Sequence, residues 1–145
     1  MHVSFALFAD AANLSQEGKL NILGVFDALH VAQFPAIHPR ATLVVRLKGT
    51  REDVGSHEVA MRWVNPAGME LWNSVGAIDL GPLPDDVHEA DLPLIAALDL
   101  PADGPGEYAM EIAVDRVAAA RVPLMIHGVT VLPGLQAPGP GGLVH

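Results

Sequence analysis

The sequence predicts an all-β protein: a single-domain antiparallel β-sandwich of about eight strands with Greek-key, immunoglobulin-like connections, a closed β-barrel being the alternative. Three observations predict it. Apolar and polar residues alternate at period two in short runs. Glycine- and proline-rich turn signals separate those runs. Half of the 145 residues are apolar and only 17% are charged, enough to build a core without staples. One domain is expected over residues 1–132. Residues 133–145, PGLQAPGPGGLVH, contain seven Pro or Gly in thirteen and are expected to form a flexible tail.

Residues 3–31 open the chain as two apolar β segments joined by a polar turn. Val3, Phe5, Leu7 and Ala9 alternate with Ser4, Ala6, Phe8 and Asp10. Both sets are mostly apolar, which fits a strand covered on both faces. Gly18 within Ser15-Gln16-Glu17-Gly18-Lys19 supplies the turn, since glycine takes the positive φ of hairpin loops. Leu20, Ile22, Gly24 and Phe26 then alternate with Asn21, Leu23, Val25 and Asp27. Local helix formers between Ala9 and Leu14 compete, but β-branched and aromatic content favours strand. Asp10, Asn13 and Asp27 interrupt the apolar run. Nothing near them supplies a nucleophile or a metal-ligand set, so they read as acceptors for backbone N–H groups where strands bend or end.

Pro35 and Pro39 predict a crossing loop over residues 32–40. In the strand at 41–48, Leu43, Val45 and Leu47 take one face and Thr42, Val44, Arg46 and Lys48 the other, which suits one face in the core and one in water. A charged loop follows at 49–57. The strand at 58–64 sets Val59, Met61 and Trp63 on one face. Asn65-Pro66-Ala67-Gly68 is a strong turn signal, and extended structure resumes at 69–72, so Trp63 and Trp72 meet across a hairpin as core or edge packing. A short strand covers 75–80. Residues 92–100, bracketed by Pro93 and Pro101, read as a strand or a short helix. Residues 107–115 give the cleanest alternation, with Tyr108, Met110, Ile112 and Val114 inward and Glu107, Glu111 and Asp115 outward. Residues 116–121 make a turn and 122–132 the last strand.

The run FALFADAANLSQEGKLNILGVFD resembles the opening of a family of small bacterial proteins known only as a domain of unknown function. GPGEYAMEIAVD followed by VPLMI is similar to that family's closing strands. The resemblance spans most of residues 3–131; its opening is specific, while its closing is generic to β-sandwiches. It implies a small all-β domain and brings no catalytic residues with it.

Chemistry is sparse. Eight basic residues against seventeen acidic ones give a net charge of −9, which repels a phosphate backbone, so no nucleic-acid partner is expected. The start MHVSFALFAD lacks a basic n-region, and no apolar run approaches the ~20 residues that span a bilayer. No membrane association and a cytoplasmic location are expected. Without cysteine there is no disulfide, thiol nucleophile or Cys-based zinc site.

The most suggestive segment is the loop at 81–91, where Asp85, Asp86, His88, Glu89 and Asp91 crowd together. Oxygen-rich loops bind Ca²⁺ or Mg²⁺, yet the spacing is not that of an EF-hand, and a solvated acidic loop accounts for it. The seven histidines form no H-x-H or H-x₃-H pattern. No serine lies in a G-x-S-x-G context. Ser56-His57-Glu58 fails as a nucleophile–base pair, because neighbours on a strand point to opposite faces. No catalytic, cofactor-binding or metal residue is therefore assigned and no cofactor is expected. The expected function is a non-catalytic protein-interaction or assembly module that joins a protein partner or itself. A small-ligand or divalent-metal-binding protein is the alternative, and a hydrolase is favoured less.

Overall fold

The computed structural model describes residues 1–129; the expected tail and the last residues of the final strand lie outside them. Nine strands run in order: β1 His2–Leu14, β2 Leu20–Phe26, β3 Ala28–Val31, β4 Ala36–Gly49, β5 Gly55–Val64, β6 Glu70–Leu80, β7 Ala90–Ala102, β8 Gly106–Val114 and β9 Val117–Gly128, with a 3₁₀ turn at Arg51–Asp53. One sheet has the order β2-β1-β4-β7 and the other β3-β9-β8-β5-β6. The chain is an all-β sandwich, and the sheets do not close into a barrel. β4 and β7 pair in one sheet and β5 and β8 in the other, so consecutive strands cross between sheets in the Greek-key manner. No helix among the described residues is long and apolar enough to cross a membrane.

The core confirms the inward rows. Leu43, Leu47, Trp63, Tyr108, Met110, Ile112, Leu124 and Ile126 are all sealed between the sheets. Trp63 stacks on Tyr108 and meets Phe8 edge-on, with ring centroids 5.4 and 5.9 Å apart. Its indole N–H donates to the Pro101 carbonyl at 2.8 Å, which satisfies the polar end of a fully buried ring. The Tyr108 hydroxyl accepts from the Asp103 and Gly104 N–H groups at 3.0 and 3.1 Å. Such a tyrosine corner and a buried Trp on a central strand are hallmarks of immunoglobulin-like sandwiches. Met110, two residues after Tyr108, stands where antibody domains carry a disulfide cysteine, so packing replaces the covalent bond here.

Several expectations are corrected. Residues 20–31 are not one strand: the chain leaves the first sheet at Asp27, and β3 joins the second sheet beside β9 as the one parallel pair. A register shift at Ser4 puts Val3 on the core side, leaving Phe5, Leu7 and Ala9 on the outer face opposite Arg46, Val44 and Thr42. Pro39 lies inside β4, at a register shift between His38 and Ala41. It is tolerated because β1 pairs with β4 only as far as Thr42, so the first residues of β4 have one free edge. β6 is a single strand, and residues 92–100 are strand throughout. Residues 116–121 are not a long turn: Asp115 and Arg116, at φ 50° and 65°, make a two-residue turn of the kind that hairpins favour, and Ala118–Ala120 extend.

The largest correction concerns the outer face of β4, expected to meet water. Val44 is 0% exposed and Thr42 8%. The cause lies in β1, which pairs with β4 from His2 to Ala9 and with β2 from Phe8 to Leu14. If β1 ran straight, Phe5 would stand about 30 Å from Leu14 and the Gly18 turn beyond it, at ~3.3 Å per residue. Instead Phe5 and Gly18 line one groove with Lys19, Ile22, Arg46 and Pro93. The β1–β2 hairpin therefore doubles back over the outer face of its own sheet. The reversal falls where Asp10 faces Gly24, and no ladder pair joins those two residues. Gly24 has φ +69°, and a Cβ there would collide with the Asp10 carboxylate. Only glycine fits both the angle and the contact. Burying a valine such as Val44 contributes ~1.5–3 kcal/mol, so the folded-back hairpin stabilises the sheet it covers.

Candidate functional site

The most enzyme-like constellation lies at one end of the sandwich. His57, near the start of β5, points its Nδ1 at Asp115 Oδ2, 2.6 Å away, and its Nε2 at the Asp53 carbonyl. Asp115 sits in the β8–β9 turn, and its other oxygen accepts the Glu58 N–H at 3.0 Å. Asp53 closes the 3₁₀ turn, and its carboxylate takes the Met1 amino group at 2.8 Å and the Thr50 N–H at 2.8 Å.

The chemistry of this cluster follows from its acceptors. A carboxylate and a carbonyl only accept, so the two partners together favour the imidazolium form of His57, in which both ring nitrogens donate. The hydrogen bond to Asp115, and then that to the Asp53 carbonyl, raise the His57 pKa from its ordinary value. The His57 bond lowers Asp115 in turn. The amino group, and then the Thr50 N–H, hold Asp53 at about 2. A general base needs a free nitrogen facing substrate. His57 has none, so the cluster is a latch joining β1, the 3₁₀ turn, β5 and the β8–β9 turn. Ser56 is exposed and His57 half-buried, as their opposite facing requires.

Two of the acidic loop's five candidates, Glu89 and Asp91, are spent on internal pairs. Arg51 donates to the Leu83, Pro84 and Val87 carbonyls at 3.0, 2.6 and 3.1 Å and fixes the loop's path. Asp91 begins the next strand and takes a bidentate bond from Arg46 at 3.0 and 2.8 Å. That bond, together with Lys48, lowers the Asp91 pKa. Glu89 pairs with Lys48 at 3.4 Å. Among the described residues no three His, Asp or Glu side chains converge as metal ligands, so Asp85, Asp86 and His88 do not form a set with these two. Of the polar residues in the opening stretch, Asp10 marks the hairpin reversal, Asn13 accepts from Asn21 at 3.0 Å, and the Asp27 carbonyl accepts the Met125 N–H at 2.9 Å where the chain changes sheets.

The four sheet edges are what remains. An unpaired edge invites another strand unless it is short, broken, charged or proline-bearing. β3 has four residues. β7 carries Pro93 and Pro101 with Asp91 and Asp99. β2 is broken at Gly24 and folded onto its sheet. β6 has eleven residues, paired with β5 from Leu80 back to Glu70 with one register shift at Leu71, and holds no proline or basic residue. Its only charges are Glu70 and Asp79 near its ends. Trp63 and Trp72 face each other across that pairing, and Trp72 is half-buried beside the open edge. Val75, mid-strand, is 63% exposed. Sequence reading weighed the loop and the histidines and missed β6 as a site. Its signal was present in eight consecutive uncharged, proline-free residues, Leu71 through Ile78, but only the sheet order makes them an edge.

Fold and site define an immunoglobulin-like β-sandwich whose His–Asp pair is a latch and whose second sheet ends in an unguarded strand. The chain belongs to a family of unknown function, DUF6941, whose model matches residues 4–127. No curated protein matches it. Among solved structures it is similar to the alkylpurine DNA glycosylase AlkC of Pseudomonas fluorescens, bound to DNA containing an abasic site analog. The TM-score is 0.44 at 11% identity, over 84% of this chain and 30% of that one. A likeness that distant, to a protein of which this chain spans under a third, tells nothing of the activity here.

Proposed function

We propose that the protein is a non-catalytic interaction module that takes up a strand from a protein partner along β6. The observation that carries the reading is the contrast among edges: β2, β3 and β7 are each short, broken or proline-bearing, whereas β6 keeps a regular, uncharged, proline-free run from Trp72 to Ile78, its one register shift lying at Leu71 near the end. Strand addition gains main-chain hydrogen bonds along the edge and side-chain contacts at alternate positions. The His57–Asp115 pair has both ring nitrogens occupied, which leaves a hydrolase no base at that place. We take the module to act in the cytoplasm, where a cysteine-free chain is at home.

Val75→Lys tests the reading. A charge in the middle of an exposed edge strand leaves the fold intact and blocks strand pairing. Native mass spectrometry of untagged protein from its own cells should show the wild type in an assembly and the variant alone, with unchanged circular dichroism. An assembly that survives Val75→Lys unchanged would overturn the proposal.

A further inference from the structure

We infer that the strand taken up along β6 is β6 of a second copy, running antiparallel about a two-fold axis through Val75, so that two five-stranded sheets become one. This rests on the proposed reading and names the partner. An isologous dimer requires a surface complementary to itself, and β6 is. With the axis at Val75, Val75 meets Val75, Ser74 meets Gly76, Asn73 meets Ala77, and Trp72 of each copy meets Ile78 of the other. Trp72 and Ile78 are both half-buried against the core, and they form the aromatic–β-branched pair that cross-strand contacts favour. Small residues meet small ones between them.

Charge narrows the choice of partner. A chain with net charge −9 repels its own copy over most of its surface. The stretch from Leu71 to Ile78 carries no charge at all. The regular pairing runs from Trp72 to Ile78 and stops short of the register shift at Leu71, so Glu70 and Asp79 lie outside it and no like charges stand directly opposed. Glu70 is already neutralised by Arg62 at 3.3 Å and accepts from Asn73 at 2.8 Å. A basic partner would find no carboxylate along the middle of this edge. A second copy finds its own exposed valine.

The chain has no cysteine, which makes a direct test available. Directly opposed residues of an antiparallel pair have Cα atoms about 4.5–5.5 Å apart, within disulfide range. Val75→Cys should therefore oxidise to a covalent dimer, while Val117→Cys, an equally exposed site at 67%, serves as the collisional control. At about 10 μM protein the paired thiols see a millimolar effective concentration, so Val75→Cys should cross-link about a hundredfold faster. Untagged wild type should run at twice the chain mass in light scattering. Equal cross-linking rates and a monomeric wild type would overturn the second-copy inference. In that case a foreign partner lost on Val75→Lys would leave the interaction reading standing, and a Val75→Lys variant that changes nothing would end both.

Discussion

Val44 and Ala113 both point away from the core, one from each sheet, and they meet different surroundings. Val44 is sealed under the β1–β2 hairpin, which the sheet folds back over itself. Ala113 lines an open groove of about 560 Å³ with Ala60, Arg62, Glu111 and Arg121. The outer row of the first sheet is apolar around Leu7, Ala9 and Val44 and turns charged only toward Arg46 and Lys48, which pair with Asp91. The outer row of the second carries the pairs Arg62–Glu111 at 3.6 Å and Arg121–Glu107 at 3.4 Å. Ion pairs this exposed contribute little stability and serve to keep a face wet. One sheet thus supplies its own roof from local sequence, while the other keeps its face and its β6 edge in solvent.

The comparison can be broken most sharply by placing the same charge on both faces. Val44→Asp buries an unpaired carboxylate, a cost of several kcal/mol against a total stability of about 5–15 kcal/mol. It should give no soluble folded protein. Ala113→Asp, beside Arg62 and Arg116, should change a urea midpoint by no more than ~0.5 kcal/mol equivalent. Equal tolerance of the two would mean that the hairpin does not cover Val44.

A smaller effect probes the reversal. Gly24→Ala forces a side chain into the left-handed region, at about 1–2 kcal/mol, and drives its Cβ into Asp10. The variant should melt earlier and exchange its β4 amides near Thr42 faster. Adding Asp10→Ala removes the contact but not the backbone cost, so rescue should be partial. Full rescue would assign the glycine's role to the clash alone.

The smallest expected effect is a pH dependence of the latch that ties the two sheets together. The folded-state pKa of His57 is raised above its unfolded value of ~6.5. Its contribution is present in full below that value and is lost as pH rises through the folded one. Asp115 and Asp53 are lowered, so theirs is present above ~4 and lost as pH falls, for Asp53 through about 2. His38, lowered chiefly by burial, works opposite to His57 and favours the fold at higher pH. The His57 share is therefore read as the difference between wild type and His57→Gln in thermal melts at pH 5.5 and 8.5. The variant should lose more at pH 5.5; a constant difference would show that His57 contributes by packing alone.

Legibility in the sequence followed the range of the interaction. The row Tyr108, Met110, Ile112 and Val114 was readable because period-two alternation records burial locally. The twofold apolar pattern of β1 correctly announced a strand covered on both faces, but not that its own continuation does the covering. That depends on Asp10 meeting Gly24 across the hairpin, and Gly24 alone looked like an ordinary strand residue. A single inserted register step at Ser4 moved Val3 to the other face, and nothing in the local pattern marks it. The latch joins His57 to Asp115, 58 positions apart, a separation at which a lone histidine and a turn aspartate carry no mutual signal. The β6 edge was hidden for another reason: whether a strand is central or terminal is a property of the sheet order.

The parallel pair β3–β9 sets the order in which this protein can come together. Ala28 pairs with Met125 and Val31 with Gly128, so a strand from the first quarter of the chain waits for the last strand described. No stretch of chain that stops short of β9 can complete the second sheet, however well its hairpins form. Contacts so distant in sequence make loop closure the slow event and place folding in the millisecond-to-second range of all-β sandwiches. During synthesis, Leu29, which ends fully buried, stays uncovered until β9 has emerged. The interval in which the nascent protein is vulnerable is thus set by translation of β9 rather than by the collapse of β1.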